Sequence, residues 1–305
     1  MGNGKFDDAA RFAVRASAWG LLAVVALGFL GGVLAAGDTF AVVRPLAGTL
    51  LAPIAIGLFR QSARRLAILC LLGSFVSFGS LAPVFLASGT PCKNTCLTLY
   101  QKNLLSRAWP RYPLADDIIA SGADIVTLQE VSDHNRKYMA RMYDHYPTKV
   151  ICPFRPRQDV GLLTSLPIIV GSAFCLEGAG LAGVQVITPD AKYVWALSLH
   201  LEWPFPYDQM SQALRIADKL ETLDGPVVIG GDFNMVPWGR SARMIRKASG
   251  TRSLGPIQTS YEKGGPFLPL PIDQVLVPTG ATGRMTARPE HGSDHEGRLA
   301  SIALP

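Results

Sequence analysis

Side chains that can bind cations or move protons stand where an apolar segment of this chain ends. The segment Val227–Gly230 has the composition of a strand buried on both faces, and Asp232 and Asn234 follow it. Residues two apart on a strand point to the same side, so these two side chains are expected to project together. Because a buried carboxylate without partners is costly, the pair predicts a site for a cation, a proton donor or water. A plain Asp-Asn turn is the simpler alternative.

Six further polar residues end or interrupt other apolar segments. They are Asn103, Glu130, His200, Asp273, Asp294 and His295. Each alone has an ordinary explanation, such as a turn, a surface carboxylate or a core histidine between two leucines. Their recurrence along one chain favours a site that is built at one edge of a sheet.

The elements expected to hold these side chains are mostly strands. Alternating or β-rich runs predict strands at about 96–104, 124–131, 149–152, 160–164, 168–174, 184–188, 194–201, 227–230, 272–277 and 299–304. Helices are predicted at 114–121, from about 132 to 145, at 208–223 and at 240–248. The apolar spacing is most clearly amphipathic in the helix at 208–223.

The first 90 residues have a different composition, which contributes to the mean hydropathy of +0.23. Residues 16–37 and 66–92 contain no charged side chain, and the apolar segment 40–59 between them is broken only by Arg44. Segments of this length can cross a hydrocarbon core of about 30 Å as helices. The sequence therefore predicts three transmembrane helices, at about 16–37, 40–59 and 66–87. Residues 1–92 would be a membrane anchor, and residues 93–305 a soluble domain. Arg44 lies near a helix end, from which its side chain is expected to reach the membrane surface.

The distribution of basic residues predicts how the anchor is oriented. The loop between the first two helices holds only Asp38 and the marginal Arg44, whereas the opposite side carries six basic residues: Lys5, Arg11, Arg15, Arg60, Arg64 and Arg65. By the positive-inside rule the N-terminus is cytoplasmic, and the soluble domain lies outside a bacterial inner membrane, in the periplasm. A cleaved signal peptide is the alternative for the first segment, but two more apolar segments follow it. A transporter or channel is disfavoured, since ionisable residues are nearly absent from these segments.

Cysteine usage agrees with an oxidising compartment. Cys92, Cys96, Cys152 and Cys175 form an even set beyond the membrane segments, and the first two can close a small loop. Zinc binding is less favoured, because no second close Cys or His pair accompanies them. The pairing of Cys152 with Cys175 stays open. Seven of the 29 basic residues but only three of the 23 acidic ones precede residue 93, so the net charge of +6 is weak evidence for nucleic-acid binding.

Several short motifs together resemble the endonuclease/exonuclease/phosphatase superfamily, the deoxyribonuclease I-like proteins. The motifs span about residues 96 to 304: Lys102-Asn103-Leu104, Leu128-Gln129-Glu130-Val131, Gly161-Leu162-Leu163-Thr164-Ser165, Leu199-His200-Leu201, Gly231-Asp232-Phe233-Asn234, Ile272-Asp273-Gln274-Val275-Leu276 and Ser293-Asp294-His295. The resemblance implies a four-layered α/β sandwich of two packed β-sheets flanked by helices, here preceded by the three membrane helices.

The resemblance also implies a divalent-metal-dependent hydrolase of phosphate esters. Glu130, Asn103 and Asp294 would hold Mg²⁺, with Mn²⁺ as the alternative. The substrate would be a phospholipid head group, a nucleic acid or a small phosphate ester, and the lipid bilayer is the other expected partner. No feature indicates a protein partner.

The same resemblance assigns the proton-transfer roles. Asp232 would orient or deprotonate the attacking water, with Asn234 positioning it or the phosphate. His295, oriented by Asp273, would donate to the scissile phosphate. His200 matches a second histidine found in the deoxyribonuclease I and sphingomyelinase branches.

Two departures make the repair-nuclease branch less favoured. Leu105 stands where that branch has an aspartate, and His200 where it has no histidine. A membrane-bound nuclease of the deoxyribonuclease I type remains the alternative function. A catalytically idle binding or scaffold module is the alternative of another class, for which erosion of the site is the expected mark.

Overall fold

The computed structural model describes residues 2–34, 36–87, 89–92, 95–109, 112–263 and 269–305. These residues divide into two compact units. One comprises Met1–Pro83 with the short stretches Pro204–Pro206 and Trp238–Arg240. The other comprises Val84–Trp203, Tyr207–Pro237 and Ser241–Pro305. The first is built mainly of helices, and all the described strands lie in the second.

The helical unit contains three long apolar helices. They are α1 (Gly2–Leu27), α2 (Gly37–Arg60) and α3 (Arg64–Gly79), after which comes the one-turn helix α4 (Ala82–Phe85). Small and aliphatic side chains, among them Ala18, Leu51 and Cys70, are fully buried between them. By length and composition three segments can span a membrane: Asp8–Leu27, Gly37–Arg60 and Arg64–Phe85.

Helix α1 ends ten residues before the boundary expected from hydropathy. Its last residue is Leu27, and Gly28, Gly31 and Gly32 follow in a run of turns. Glycine is a poor helix former, and hydropathy alone does not register this. A Cβ at Gly28 would lie 3.1 Å from the carbonyl oxygen of Phe40, so the glycine also lets α2 approach closely. The predicted helix over 16–37 was therefore wrong at its C-terminal end.

Arg44 is buried inside the helical unit, whereas the sequence suggested a side chain that reaches the membrane surface. Its guanidinium donates to the carbonyl of Gly28 and to the hydroxyl of Ser80, both at 3.0 Å. It also lies over the ring of Phe29, 4.0 Å from the centroid. Arg44 thus ties α2 to the chain segments that follow α1 and α3.

The second unit is a sandwich of two mixed six-stranded sheets. In chain order the strands are β1 (Leu97–Asn103), β2 (Ile125–Val131), β3 (Thr148–Cys152), β4 (Asp159–Thr164), β5 (Phe174–Leu176), β6 (Leu181–Ile187), β7 (Tyr193–His200), β8 (Val227–Asp232), β9 (Thr251–Ser253), β10 (Asp273–Pro278), β11 (Thr282–Arg288) and β12 (Gly297–Ala303). One sheet has the order β11-β12-β1-β2-β4-β3, and the other β5-β6-β7-β8-β10-β9.

Helices flank the two sheets. They are α5 (Tyr112–Ser121), α6 (Asp133–Met139), α7 (Gln209–Leu220) and α8 (Arg240–Ala248). Alternation along β1 shows how the layers are filled. Leu99 packs between the sheets with residues such as Val184 and Val228. Its neighbour Tyr100 packs on the opposite face with Ile118 of α5. The expected sandwich of two packed sheets with outer helices is confirmed.

One predicted strand is displaced, and two observed strands were not predicted. The strand expected at 168–174 lies at Phe174–Leu176, and β9 and β11 had no predicted counterpart. Strand β11 has a weak apolar pattern because several of its side chains are exposed.

Two disulfide bonds close loops in the second unit. Cys92 pairs with Cys96, and Cys152 pairs with Cys175. The second bond links the end of β3 in one sheet to β5 in the other, so it joins the two layers covalently. Among the described cysteines, Cys70 of α3 is a buried free thiol.

Candidate active site

Strand register brings the predicted site residues to one edge of the sandwich. Strands β1 and β2 are parallel, with Asn103 opposite Gln129, so Glu130 is the next residue along β2. In the other sheet, Asp232 at the end of β8 lies between two neighbours. His200 of parallel β7 is opposite it on one side, and Asp273 of antiparallel β10 is opposite it on the other.

All eight residues proposed from the sequence belong to one cluster of side chains. Each lies within 3.9 Å of at least one other member: Asn103, Glu130, His200, Asp232, Asn234, Asp273, Asp294 and His295. Two of them, Glu130 and Asn234, have positive φ angles of 57° and 44°. Such backbone conformations are uncommon for residues other than glycine and concentrate at functional sites.

Asp232 lies at the centre of the cluster and is almost completely buried. Its Oδ2 accepts a hydrogen bond from the amide of Asn103 at 2.8 Å, and its Oδ1 accepts one from the backbone N–H of Asn234 at 2.8 Å. Burial raises the pKa of Asp232 to about 7, although His295 and the two hydrogen bonds act in the opposite direction. The carboxylate is therefore poised to take or hold a proton near neutral pH.

Asp273 and His295 form a buried hydrogen-bonded pair. The distance from His295 Nδ1 to Asp273 Oδ2 is 2.7 Å, and the other ring nitrogen lies 3.9 Å from Asp232 Oδ2. Burial alone lowers the pKa of His295, but the carboxylates of Asp273 and Asp232 outweigh it and raise the value to about 9. The two carboxylates therefore hold the ring as imidazolium.

His200 lies in a contrasting environment. Burial lowers its pKa to about 4, a change that the carboxylate of Glu130 only partly offsets. Its Nε2 lies 3.4 Å from the amide nitrogen of Asn234 and 3.8 Å from Asp232 Oδ2. Its ring meets Phe154 edge-on, with 5.4 Å between centroids. The site thus contains one charged and one neutral imidazole near the same carboxylate oxygen.

Oxygen donors suited to a hard divalent cation lie beside Asp232. Burial raises the pKa of Glu130, but hydrogen bonds from Ser106 and from the amide of Asn103, together with the nearby ring of His200, hold it below its usual value. The Nδ2 of Asn103 lies between two carboxylates, 3.3 Å from Glu130 Oε1 and 2.8 Å from Asp232 Oδ2. The Oδ1 of Asn103 accepts a hydrogen bond from the backbone N–H of Leu105 at 2.9 Å, so the oxygens that face this space are those of the two carboxylates, a ligand type that Mg²⁺ prefers.

A second candidate metal group overlaps the first. Ligand atoms of Asp232, Asp273 and His295 lie within 4.8 Å of one another, so this buried group could bind a metal. Two of those atoms already form the 2.7 Å hydrogen bond between Asp273 and His295. A metal ion bound by the oxygens around Glu130 would leave that hydrogen bond intact, so these oxygens are favoured as the metal ligands. Asp294 lies at the rim, with Oδ1 3.9 Å from His295 Nε2 and Oδ2 3.8 Å from Lys263.

Three residues that support this cluster were not identified from the sequence. Gln101 donates to Asp273 Oδ1 at 2.7 Å and thereby fixes the second oxygen of that carboxylate. Buried Lys102 donates to the backbone carbonyls of Pro289 and His295, and burial lowers its pKa to about 8. Gln101 and Lys102 lie in the strand pattern of β1, where only the fold reveals their partners.

Tyr261 is the third, and it comes from a loop with no regular pattern. Its ring lies 4.9 Å from that of His295 and 5.9 Å from that of Trp203. Burial raises its pKa, and the carboxylates of Asp294, Asp232 and Glu130 raise it further. Tyr261 therefore stays a neutral phenol beside the cluster.

A cleft of about 420 Å³ opens next to the cluster. Its lining combines site residues with aromatic and charged side chains: Glu130, His200, Asn234, Phe154, Arg155, Glu202, Trp203 and Tyr207. Arg155 forms an ion pair with Glu202. The aromatic residues Trp203 and Tyr207, which follow His200 in the sequence, thus line the cleft with their side chains partly exposed.

Comparison with known proteins gives one family. The sequence model described as the Endonuclease/Exonuclease/phosphatase family matches residues 102–295. That range begins one residue before Asn103 and ends on His295. No curated protein matches the chain by sequence.

Solved structures give the same fold. The endonuclease/exonuclease/phosphatase of Bacteroides vulgatus is 14% identical, with a TM-score of 0.57, covering 70% of this chain and 100% of that chain. That of Beutenbergia cavernae DSM 12333 is 17% identical, with a TM-score of 0.54, covering 69% of this chain and 72% of that chain. The mannosyl-6-phosphatase of Bacteroides thetaiotaomicron VPI-5482 is 13% identical, with a TM-score of 0.52, covering 68% and 100%. At such identities the likeness concerns the fold alone.

Proposed function

The chain belongs to the endonuclease/exonuclease/phosphatase family, whose members hydrolyse phosphate esters, and we propose that it is a membrane-anchored, divalent-metal-dependent phosphoesterase. One observation carries the proposal. Three groups with different protonation states converge: the Nε2 atoms of His200 and His295 lie 3.8 and 3.9 Å from Asp232 Oδ2. Hydrolysis of a phosphate ester needs both a base for water and a donor for the phosphoryl oxygens or the leaving group.

Asp232 acts on the attacking water in this proposal. Its two oxygens are fixed by Asn103 and by the backbone N–H of Asn234, so the carboxylate points in one direction. A pKa of about 7 makes it a competent base near neutral pH. Asn234, whose side chain is anchored on the carbonyl of Leu201 at 2.8 Å, positions the water or the phosphate.

The two histidines take different tasks. His295, kept as imidazolium by Asp273, donates a hydrogen bond to a phosphoryl oxygen as negative charge develops there. His200 is neutral and contacts the phosphate or the leaving oxygen from the other side. Tyr261 and Gln101 act through these groups, the first by packing on His295 and the second by holding Asp273.

Glu130, Asn103 and Asp294 are the residues that would hold Mg²⁺ or Mn²⁺. The cation, when bound, supplies Lewis-acid stabilisation of the phosphoryl oxygens. Asn103 and Glu130 are adjacent, whereas Asp294 lies at the rim of the cluster beside His295. The proposal needs no rearrangement of the Asp273–His295 pair.

The cleft and the apolar helices favour a phospholipid head group as substrate. Three helices can span a membrane by length and composition. The cleft wall presents Trp203 and Tyr207, side chains that suit a membrane interface. The same aromatic side chains can stack on a nucleic-acid base, so a nuclease of the deoxyribonuclease I type is the second candidate. A small soluble phosphate ester is the third.

We further propose that the sandwich lies on the outer side of a bacterial inner membrane. The basic residues that flank the predicted helices support a cytoplasmic N-terminus. The bonds Cys92–Cys96 and Cys152–Cys175 support an oxidising compartment. Fusion of an alkaline phosphatase reporter after residue 92 tests this: an active reporter is expected. An inactive reporter at a position where a cytoplasmic reporter is active would refute the orientation.

The activity itself is tested with the full chain purified in detergent. A DNA, a phospholipid and a sugar phosphate are each incubated with Mg²⁺, with Glu130→Ala as the blank. Loss of hydrolysis in Asp232→Ala is expected, while Asp218→Ala, which removes an exposed carboxylate of α7, should retain it. If no phosphoester is cleaved and calorimetry detects no divalent-ion binding, the chain is a catalytically idle binding or scaffold module.

A further inference from the structure

A groove of about 550 Å³ in the helical unit is lined by three arginines and a tryptophan. Arg15 and Trp19 belong to α1, and Arg64 and Arg65 open α3. The turn at Ser62 and Ala63 forms the rest of the wall together with Leu66. None of these residues belongs to the active-site cluster, and the proposed hydrolysis does not use them.

Helix packing fixes which side chains face this groove. Arg15 and Trp19 are four residues apart, so they lie on one face of α1. Ala18, one residue away from Trp19, is fully buried in the helical core with Leu58 and Ala67. This contact sets the rotation of α1 and leaves Arg15 and Trp19 exposed beside the turn between α2 and α3.

The turn between α2 and α3 provides hydrogen bonds for the last backbone carbonyls of α2 but none for the first backbone N–H groups of α3. Ser62, with φ of 58°, and Ala63 donate backbone hydrogen bonds to Phe59 and Leu58, which closes the C-terminus of α2 as a Schellman motif. Helix α3 then starts at Arg64, and its N-cap Ala63 offers no side-chain acceptor. The first-turn amides of a helix have no intrahelical partner and favour an anion.

The three arginines give the groove a positive charge. Within the residues that the structure describes, Arg15, Arg64 and Arg65 form no ion pair with a carboxylate. Arginine presents several donors in a planar fork that matches phosphate oxygens. Three guanidinium groups around one groove, beside the start of a helix, therefore select a phosphate-bearing anion.

The surroundings indicate that this anion is a lipid. Trp19 is 59% exposed and lines the groove beside Arg64, where α3 and the candidate membrane span Arg64–Phe85 begin. Tryptophan with neighbouring arginines at the end of such a helix is typical of the membrane interface, where lipid headgroups lie. The positive-inside rule assigns Arg15, Arg64 and Arg65 to the same membrane side, and the structure places them around one groove.

We propose that this groove binds the headgroup phosphate of an anionic phospholipid. The phosphate lies among the three guanidinium groups, and Trp19 packs against the glycerol and upper acyl region. The site rests on the membrane insertion proposed above and is independent of the hydrolase activity. Each basic residue near a membrane contributes roughly fivefold to binding of anionic lipid, so removing all three should weaken it on the order of a hundredfold.

The test uses the full chain in a mild detergent micelle, titrated with phosphatidylglycerol or phosphatidylcholine of identical acyl chains. Binding is read by native mass spectrometry and by the shift in the thermal transition. Saturable binding of phosphatidylglycerol is expected, and it should be lost in Arg15→Gln/Arg64→Gln/Arg65→Gln. The matched control Arg107→Gln/Lys137→Gln/Arg284→Gln removes three exposed positive charges of the sandwich and should bind as the native chain does.

A second measurement needs no arginine substitution. The chain is placed in nanodiscs of phosphatidylcholine that contain a small fraction of brominated phosphatidylglycerol, and the quenching due to Trp19 is obtained by subtracting the Trp19→Phe chain. Quenching that saturates at a low mole fraction is expected. Brominated phosphatidylcholine should instead quench in proportion to its mole fraction.

Three results would overturn the proposal. Equal binding of the two lipids would remove the role of charge, and unchanged binding in the triple arginine variant would place the lipid elsewhere. Competition by glycerol phosphate at equal concentration would identify a soluble phosphate as the occupant. Phosphate-ester hydrolysis by the triple variant is expected to persist, so failure here is distinguishable from failure of the proposed enzymatic function.

Discussion

Replacing Asp273 by Asn keeps the shape of the buried pair but removes the charge that holds His295 protonated. Its Oδ2 lies 2.7 Å from His295 Nδ1, and its carboxylate is the largest of the influences that raise the pKa of that ring to about 9. The proposed chemistry needs ionised Asp232, with a pKa of about 7, together with the His295 imidazolium. Activity is therefore expected between these two values and should fall as the pH rises through about 9.

The size of the effect follows from the two pKa values. At pH 8, about four fifths of native molecules hold both groups in the required state. If the imidazole returns to its ordinary value of about 6.5, this fraction drops to about 3%. The Asp273→Asn chain should thus lose about 30-fold in kcat/KM at pH 8 from protonation alone. Asp273 also raises the pKa of Asp232, so its replacement shifts the acid limb of the pH profile as well. The alkaline limb therefore reports on His295 more clearly.

The assay is a pH profile of kcat/KM with saturating Mg²⁺, from pH 5.5 to 9.5. The alkaline limb should move to lower pH, so the deficit shrinks towards pH 6. Asp159→Asn is the control. It removes a carboxylate of β4 that pairs with Arg136 of α6, outside the active-site cluster. An activity loss that is the same at every pH, with the alkaline limb in place, would refute the role of His295 as imidazolium.

Three further predictions concern binding and stability. Glu130→Gln should weaken Mg²⁺ binding by at least about tenfold in a calorimetric titration; unchanged affinity would remove Glu130 from the ligands. Burial lowers the pKa of Lys102 in the folded chain to about 8. Between pH 8 and 10 the unfolded chain therefore keeps a proton on this side chain that the folded chain has lost, and the free energy of unfolding should rise over this range. Denaturant titrations of Lys102→Met should show a smaller rise. Cys152→Ser/Cys175→Ser, which opens a loop of sequence separation 23, should cost about 3 kcal/mol in the same titrations, and an unchanged midpoint would contradict this.

Strand ends carried most of the information that could be obtained from the sequence. The apolar run before Asp232 and the alternation before Asn103 mark strands whose polar ends meet because parallel pairs β1–β2 and β7–β8 present them at one edge. Each of the eight proposed residues lies in the resulting cluster. Their individual catalytic roles remain proposals.

Other features depended on tertiary contacts that no local pattern encodes. Tyr261 lies in a loop, and only its contact with His295 marks it. The end of α1 at Leu27 follows from glycine packing that hydropathy cannot register. Strand β11 forms because it pairs along its whole length with β12, despite its exposed side chains.

The pairing of β1 with β12 has a consequence for the timing of activity during synthesis. The first strand of the sandwich, which carries Asn103, pairs with the last one, and His295 lies two residues before that last strand. In a ribosome-bound chain Asp232 and Glu130 are therefore synthesised long before His295, the proton donor of the proposed mechanism. With the roles proposed above, hydrolysis would begin only after the C-terminal strand has emerged and inserted between β11 and β1. The connectivity of the fold would thus delay phosphate-ester cleavage until biosynthesis of the domain is complete.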